Sequence, residues 1–267
     1  MTERALAGSP AEPVEAPDAI LDRSSGSLET VWENELGGLT FRDRSAARYL
    51  KWVAAGTPEL DLDAEAARLV WAAEQGARVP RVIESGSDPS GSWLITAALP
   101  GHSAVAPRWI AEPETAARAI GAGLRDLHDR LDASTCPFDW SIEQRLVQVE
   151  ERLTRGTGPA EWAPEHRALT IGEARDLLRS APPVDDPVVC HGDACAPNTL
   201  LDETGAFLAH VDLGALGTAD RWADLAIASW STVWNFGPGY EDAVYAGYGV
   251  DPDPERIAYY RLLWDLS

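Results

Sequence analysis

CHGDACAPNTLLDETGAFLAHVDLGALGTADRWADLA, residues 190–226, is the stretch whose reading decides the fold. A short apolar strand, Val188-Val189, leads into His191-Gly192-Asp193. Asn198 follows, and a second strand over Ala206–Val211 ends at Asp212-Leu213-Gly214. Asp193 and Asp212 thus each sit just past a strand, where loops on a rigid scaffold present side chains for chemistry. Hard Mg2+ takes carboxylate and amide oxygens together with substrate phosphates, and Asp212 with Asn198 supplies that set. Asp193 is left as a base or orienting group for a nucleophilic hydroxyl. An Asp base, an Asn a few residues later and a second Asp on the metal is the division of labour of phosphoryl transfer.

Two other classes use parts of the same pattern. His191-Gly-Asp193 and His210-Val-Asp212 are two H-x-D pairs of the kind a binuclear metal hydrolase carries. Such a site needs several convergent His and carboxylate ligands. The chain has five His, and His102, His128 and His166 stand in no comparable context, so His210 reads as a strand residue. The non-enzyme alternative is a module that binds nucleotide or a partner without turnover. Its mark is a missing catalytic residue, and Asp193, Asn198 and Asp212 are all present.

Upstream, the pattern is β-rich. Asp22–Ser27 is polar and turn-forming, Val31-Trp32 and Gly38–Arg42 alternate like short strands, and Ala47–Val53 reads as a strand. In that strand Tyr49, Lys51 and Val53 share one face, and Leu50 and Trp52 the other. Residues 61–75 carry a helical stripe of Leu62, Ala66, Leu69, Val70 and Ala73, with Gly76 as its stop. Pro80–Ile83 and Ser92–Thr96 read as two more strands. Ala97–Gly101 contains Pro100-Gly101 and reads as a linker. Beyond it Ala116, Ile120, Leu124, Leu127 and Leu131 hold helical spacing, and residues 141–153, 169–180, 218–230 and 253–264 are further helical candidates. Gly156–Arg167 reads as a loop or broken helix. The expected fold is α+β and bilobal: a leader over 1–18, a small β-rich lobe over 19–97, a hinge over 98–101 and a larger, mainly helical lobe over 102–267.

Composition narrows the partners. The net charge of −21 opposes a duplex-binding footprint and favours cations at long range. A polycationic small molecule suits that field, and nucleic acid does not. No apolar run approaches the roughly 18 residues that span a bilayer. MTERALAGSPAEPVEAPDAI (1–20) has no apolar core and so does not read as a secretory signal. Cys136, Cys190 and Cys195 are an odd count without a framework spacing. They fit reduced thiols in a cytoplasmic protein. A monomer or weak dimer without membrane contact is the expectation. Among 22 Lys plus Arg, Lys51 is the single lysine. A compact ammonium on a flexible stem reaches phosphates in a way a planar guanidinium does not.

HGDxxxxN followed by DLG resembles the Brenner-type signature of the aminoglycoside phosphotransferases, a branch of the protein-kinase-like fold. The likeness runs from about residue 20 to the end and is strongest over 190–226 and over YGVDPDPERIAYYRLL (248–263). It implies ATP, or GTP, as phosphoryl donor with Mg2+, and antibiotic resistance as the outcome. By the same resemblance Asp193 is the catalytic base, His191 supports its loop, Asn198 and Asp212 hold Mg2+, and Asp224 braces the loop from the following helix. Lys51 contacts the α- and β-phosphates and pairs with Glu65. Tyr49 lies against adenine, Ser25-Gly26-Ser27 covers the phosphates, and the backbone of Ala97–Leu99 meets the adenine edge. Glu161, Glu165 and Asp265 are the acidic candidates for holding amino groups of the acceptor, beside Asp193 itself.

Two departures bear on the acceptor. Neomycin- and kanamycin-type 3' enzymes usually carry Arg after the DLG glycine and end in Asp-Glu-Phe-Phe. Here these are Ala215 and Leu263-Trp264-Asp265-Leu266-Ser267. The Leu-Ser ending and GTADRWADLA resemble streptomycin 3''-phosphotransferases, whereas DASTCPFD (132–139) and FGPGYED (236–242) are shared with 3' enzymes. The expectation leans to the streptomycin 3''-hydroxyl, with 3' transfer or a kinase of another small hydroxylated metabolite as alternatives. Trp230, Trp234 and Trp264 read as core residues or as lining of the acceptor site.

Overall fold

Alternation over residues 39–43 turns Leu39, Phe41 and Asp43 inward and decides how the first sheet is packed. The computed structural model describes residues 14–34, 36–184 and 187–267. The chain divides into two compact units, one of Met1–Glu74 with Val79–Pro100 and one of Gln75–Arg78 with Gly101–Ser267.

In the first unit, α1 (Asp18–Leu21) precedes β1 (Leu28–Glu33), β2 (Leu39–Asp43), β3 (Arg48–Ala54), α2 (Leu62–Glu74), β4 (Val82–Asp88) and β5 (Gly91–Ala97). The strands form one antiparallel sheet in the order β1-β2-β3-β5-β4. Ile20, Phe41, Leu50, Trp93 and Ile95 form its core. Full burial of such side chains stabilises by about 1.5–3 kcal/mol each. The expected leader lies outside the described residues up to position 13. Val14 and Ala16 pack on this core, because they extend the apolar cap that Ile20 begins.

The stripe of α2 is rotated from the expected one. Leu62, Glu65, Ala66, Leu69 and Ala72 are buried, while Val70 is 44% exposed. Glu65 takes the inward place because its carboxylate meets Lys51, and Val70 turns out. Gly76, at φ +88°, follows the helix end as expected.

The second unit begins with β6 (His102–Ser103), α3 (Pro107–Ile110), α4 (Pro113–Arg130), α5 (Ile142–Arg155) and α6 (Ile171–Arg179). It continues through β7 (Pro187–Cys190), β8 (Thr199–Leu201), β9 (Phe207–His210), β10 (Gly217–Asp220), α7 (Trp222–Phe236), α8 (Glu241–Tyr248) and α9 (Pro254–Leu266). β7 pairs with β10, and β6-β8-β9 form a separate small sheet, so the two strands read around the motif do not pair with each other. Residues 218–220 are strand and not helix. Gly217–Asp220 pairs antiparallel with Pro187–Cys190, and the Asp220 carboxylate accepts from Trp222 N–H at 2.9 Å, so the helix starts only at Trp222. α8, within the FGPGYED region and just beyond, packs tightly on α4. A side chain at Gly121 would lie 2.0 Å from the Val244 carbonyl, which is why this helix face needs glycine. Gln75–Arg78 belongs to this unit too, where the Arg78 carbonyl accepts from His210 N–H at 2.9 Å. No helix among the described residues is long and apolar enough to cross a membrane.

Candidate active site

β8 begins at Thr199 and β9 ends at His210, and these two residues are register partners. Asn198 and Val211-Asp212 therefore leave the same end of one hairpin, joined by Val211 N–H to the Asn198 carbonyl at 3.0 Å. Asp212 holds φ +66°, a left-handed backbone that a non-glycine residue adopts only where its surroundings impose it. The Asn198 amide nitrogen donates to the Asp193 carbonyl and to Asp193 Oδ2, both at 3.0 Å. This assignment leaves the amide oxygen of Asn198 as the end a hard cation takes, and with the Asp212 carboxylate the donor set fits Mg2+. Burial raises the pKa of Asp193 above the usual carboxylate range, and the negative charge of Asp212 adds to the rise. Hydrogen bonds from the Cys195 thiol and Asn198 oppose it without reversing it.

The loop that carries Asp193 is held from behind. Asp224, fully buried on α7, accepts from His191 N–H at 2.6 Å and Gly192 N–H at 2.9 Å. Its Oδ2 also meets His128 Nε2 at 3.0 Å, and His128 Nδ1 meets the Tyr248 hydroxyl at 2.9 Å. Burial alone would raise the Asp224 carboxyl, but the His128 imidazole and the loop N–H groups hold it below the usual range. Gly192 sits at φ +85°, and a Cβ there would meet the Ala215 carbonyl at 2.1 Å. Farther along the loop, Ala196 N–H donates to Ser231 Oγ at 2.9 Å.

His191 is engaged at both ring nitrogens. Its Nδ1 accepts from Asp193 N–H at 3.3 Å, so Nε2 carries the proton and donates to the Val211 carbonyl at 2.9 Å. It is fully buried and clamps the two motif segments together. His210 is buried against Phe207 and His191, at centroid distances of 4.7 and 5.2 Å, and burial pushes its pKa down to about 3. Among the described residues, neither imidazole belongs to a group of His, Cys, Asp and Glu side chains converging closely enough to hold a metal ion, which argues against the binuclear hydrolase. All three cysteines are free thiols.

Within the first unit, Lys51 Nζ donates to Glu65 Oε1 at 2.7 Å, and the Glu65 side chain is 7% exposed. Tyr49 stands on the same face of β3, half-buried, with Arg42 over its ring at 5.8 Å. Ser25 N–H and Oγ both donate to Asp43 at 2.8 Å, so the Ser25 hydroxyl faces Asp43. Gly26 follows at φ +137°, and Ser27 is exposed. Ala97 N–H is committed to the Arg81 carbonyl and Ala98 N–H to the Ala47 carbonyl. That segment is therefore left with its carbonyls and Leu99 for an adenine edge.

The three acidic acceptor candidates differ. Asp265, 6% exposed, accepts from Ala163 N–H at 2.8 and 3.0 Å and pairs with His166 Nδ1 at 2.7 Å. It staples the 158–167 loop to α9 and is not a free anchor. Glu161 accepts from Gly158 N–H at 2.9 Å, and both Glu161 and Glu165 are exposed. Sequence reasoning missed His128, Tyr248, Cys195 and Ser231. One signal for His128 was present: it lies one turn beyond Leu124 on the buried face of α4.

In one unit a carboxylate aimed by an amide beside a second carboxylate on a strained backbone, and in the other a partly buried Lys–Glu pair, are the features of a kinase-like phosphotransferase on an α+β fold. The chain belongs to the phosphotransferase enzyme family, whose model matches residues 38–260. The aminoglycoside 3'-phosphotransferase of Streptomyces fradiae is 36% identical over 224 residues, 79% of this chain and 82% of that protein. The streptomycin 3''-kinase of Streptomyces griseus is 35% identical over 257 residues, 91% of this chain and 93% of that protein. The aminoglycoside phosphotransferase APH(3'')-Id from Streptomyces rimosus, solved in complex with ADP and streptomycin, superimposes with a TM-score of 0.75. It is 28% identical over 93% of this chain and 95% of that one.

Proposed function

We propose that this protein transfers the γ-phosphoryl group of ATP to a hydroxyl of an aminoglycoside, with the 3''-hydroxyl of streptomycin as the preferred acceptor. The observation that carries this reading is Asp193 aimed by Asn198 beside Asp212 at the open end of one hairpin. Asp193 accepts the proton as the acceptor oxygen bonds to phosphorus and the bond from phosphorus to the ADP oxygen breaks. Its raised pKa makes it a stronger base than a solvated carboxylate. The Asn198 amide and the Cys195 thiol hold the carboxylate in place. Lys51, oriented by Glu65, takes the α- and β-phosphates, and Tyr49 and Gly26–Ser27 take the rest of the nucleotide, the Ser25 donors being held by Asp43. Mg2+ held by Asn198 and Asp212 would neutralise phosphate charge. The product gains about −1.5 to −2 of charge, which opposes the cationic binding an aminoglycoside depends on.

Streptomycin is favoured over kanamycin-type acceptors by Ala215 and the longer match to the streptomycin 3''-kinase, 91% of this chain against 79%. The shared 132–139 and 236–242 segments favour 3' transfer as the second reading. The test is a panel of streptomycin, kanamycin, neomycin and hygromycin with ATP or GTP and Mg2+, with NMR of each product. Phosphorylated streptomycin is expected, and Asp193→Ala should lose at least about 10^2-fold in turnover while still binding nucleotide. Turnover retained in Asp193→Ala removes it from the base role. ATP hydrolysis with no phosphorylated acceptor, or nucleotide binding with no turnover, overturns the reading.

A further inference from the structure

Trp234 is 37% exposed, well above the ordinary burial of a tryptophan in this chain. It is also held rigidly. Its ring packs on Trp230 at 4.8 Å and lies at 33° to Trp264 at 5.5 Å, while Trp230 meets Trp264 at 6.0 Å. Buried Trp230 backs the group, with the His166 ring at 5.8 Å and the Arg261 guanidinium at 5.6 Å. The cluster stands beside the Asp193 loop: Ser231, between Trp230 and Trp234 on α7, accepts from Ala196 N–H of that loop. Trp234 follows one helical turn later, about 5 Å along the axis. The Asp265 staple brings the 158–167 loop, with exposed Glu161 and Glu165, to the same corner through His166.

We propose that the Trp230–Trp234–Trp264 cluster is the specificity-determining wall of the acceptor site and selects a guanidinium-bearing aminoglycoside over one whose cations are all ammonium groups. The inference rests on the phosphotransferase reading given above and names the feature of the acceptor that is recognised. Guanidinium is planar and weakly hydrated, so it stacks on an indole face, whereas ammonium is compact and keeps its water. The protein already makes such a contact internally, with Arg261 over Trp230. The exposed part of the Trp234 indole, in a corner that also carries Glu161 and Glu165 on the 158–167 loop, offers the same contact, and charge balance, to a ligand. The acidic excess of the chain adds the long-range attraction.

The experiment compares wild type, Trp234→Ala and Trp234→Phe with streptomycin, which carries guanidinium groups, and with kanamycin, which carries only ammonium groups. Steady-state kinetics and calorimetric binding are both recorded. Because Trp234 is partly exposed, both variants should fold, and thermal unfolding checks this. Trp234→Ala should raise the KM and Kd for streptomycin about ten-fold with kcat little changed. Kanamycin parameters should stay within about two-fold, and Trp234→Phe should recover most of the loss. Unchanged streptomycin binding, an equal loss for both acceptors, or an effect confined to kcat overturns the proposal. A wild type that phosphorylates kanamycin but neither binds nor phosphorylates streptomycin also overturns it, and leaves aminoglycoside phosphorylation standing. If wild type phosphorylates neither, the activity reading fails, and the calorimetry alone decides the indole wall.

Discussion

Asp43 in the first unit and Asp224 in the second are both fully buried, and each holds a loop through backbone N–H groups. Their partners differ in reach. Asp43 takes Ser25 N–H and Oγ, Ser45 Oγ, Ala46 N–H and the Arg48 guanidinium, all within 18 residues. Its charge is balanced by a side chain that is always cationic. Asp224 takes His191 and Gly192 from 33 and 32 residues away and His128 from 96, and His128 leans on Tyr248, another 120 residues along the chain. The first knot forms within a hairpin and its flanking turn. The second exists only when α4, α7 and α8 have assembled. Order in the Ser25–Ser27 loop is thus a local property, and order in the Asp193 loop reports the folding of a whole helical unit.

The largest expected effect comes from breaking the long-range knot. Asp224→Ala leaves two buried N–H groups and an imidazole without their acceptor. Each buried orphan costs about 1–3 kcal/mol, so a loss of about 3–5 kcal/mol is expected in urea unfolding. If that variant does not fold, Asp224→Asn keeps one acceptor oxygen and supplies the kinetic measurement. With the loop displaced, kcat should fall by about 10^2-fold. A destabilised variant with near-normal kcat would show that Asp224 supports the unit without positioning Asp193.

Asp43→Asn tests the local knot. The carboxylate becomes an amide, Arg48 loses its counter-charge, and about 2 kcal/mol of stability should go at neutral pH. Burial would raise the Asp43 carboxyl, yet the Ser25, Ser45 and Ala46 donors hold it well below the usual range. A depressed folded pKa means stability that is present above the ordinary aspartate value and lost as pH falls below about 4. The gap between wild type and Asp43→Asn should therefore narrow in acid. KM for ATP should rise several-fold with the acceptor KM unchanged. An unaltered ATP KM in a destabilised variant would detach the Ser25–Ser27 loop from the phosphates.

The same contrast explains what could be read from the sequence. β2 announces itself through alternation of neighbours, and HGDxxxxN with DLG marks Asp193, Asn198 and Asp212 by their spacing along one short stretch. Asp224 came from resemblance to a motif that continues through the same stretch. The His128–Tyr248 support joins residues 120 apart, and one sequence holds no sign of that coupling. Glu65 falls in register with Leu62 and Leu69 on the α2 stripe, but its charge hides it from an apolar reading; it goes inward to meet Lys51, and Val70 turns out. Gly217–Asp220 is a strand only because Pro187–Cys190 is there to pair with it, and β propensity of this kind is set by context more than by the segment. Asp265 has the charge expected of an anchor, but only the fold reveals that Ala163 and His166 already occupy it.

Tyr248→Phe is the finest probe of the long-range knot, because it removes one hydroxyl and keeps the ring. The Tyr248 hydroxyl bonded to His128 Nδ1 leaves His128 Nε2–H to face Asp224, so the hydroxyl sets the tautomer at one remove from the loop. Losing it should cost about 1 kcal/mol, with kcat within about three-fold because the Asp224 bonds to His191 and Gly192 remain. Burial pushes the Tyr248 pKa up to about 12, with Arg221 and Arg125 offsetting part of the rise. Unfolded tyrosine titrates at about 10. A raised folded pKa contributes stability that is complete below pH 10 and lost as pH climbs toward 12. Urea midpoints for wild type and Tyr248→Phe should accordingly differ at pH 8 and converge above pH 10. Parallel curves across that range would mean that the phenol titrates alike folded and unfolded. A kcat loss as large as that of Asp224→Ala would mean that His128, and not the direct Asp224 bonds, holds the Asp193 loop.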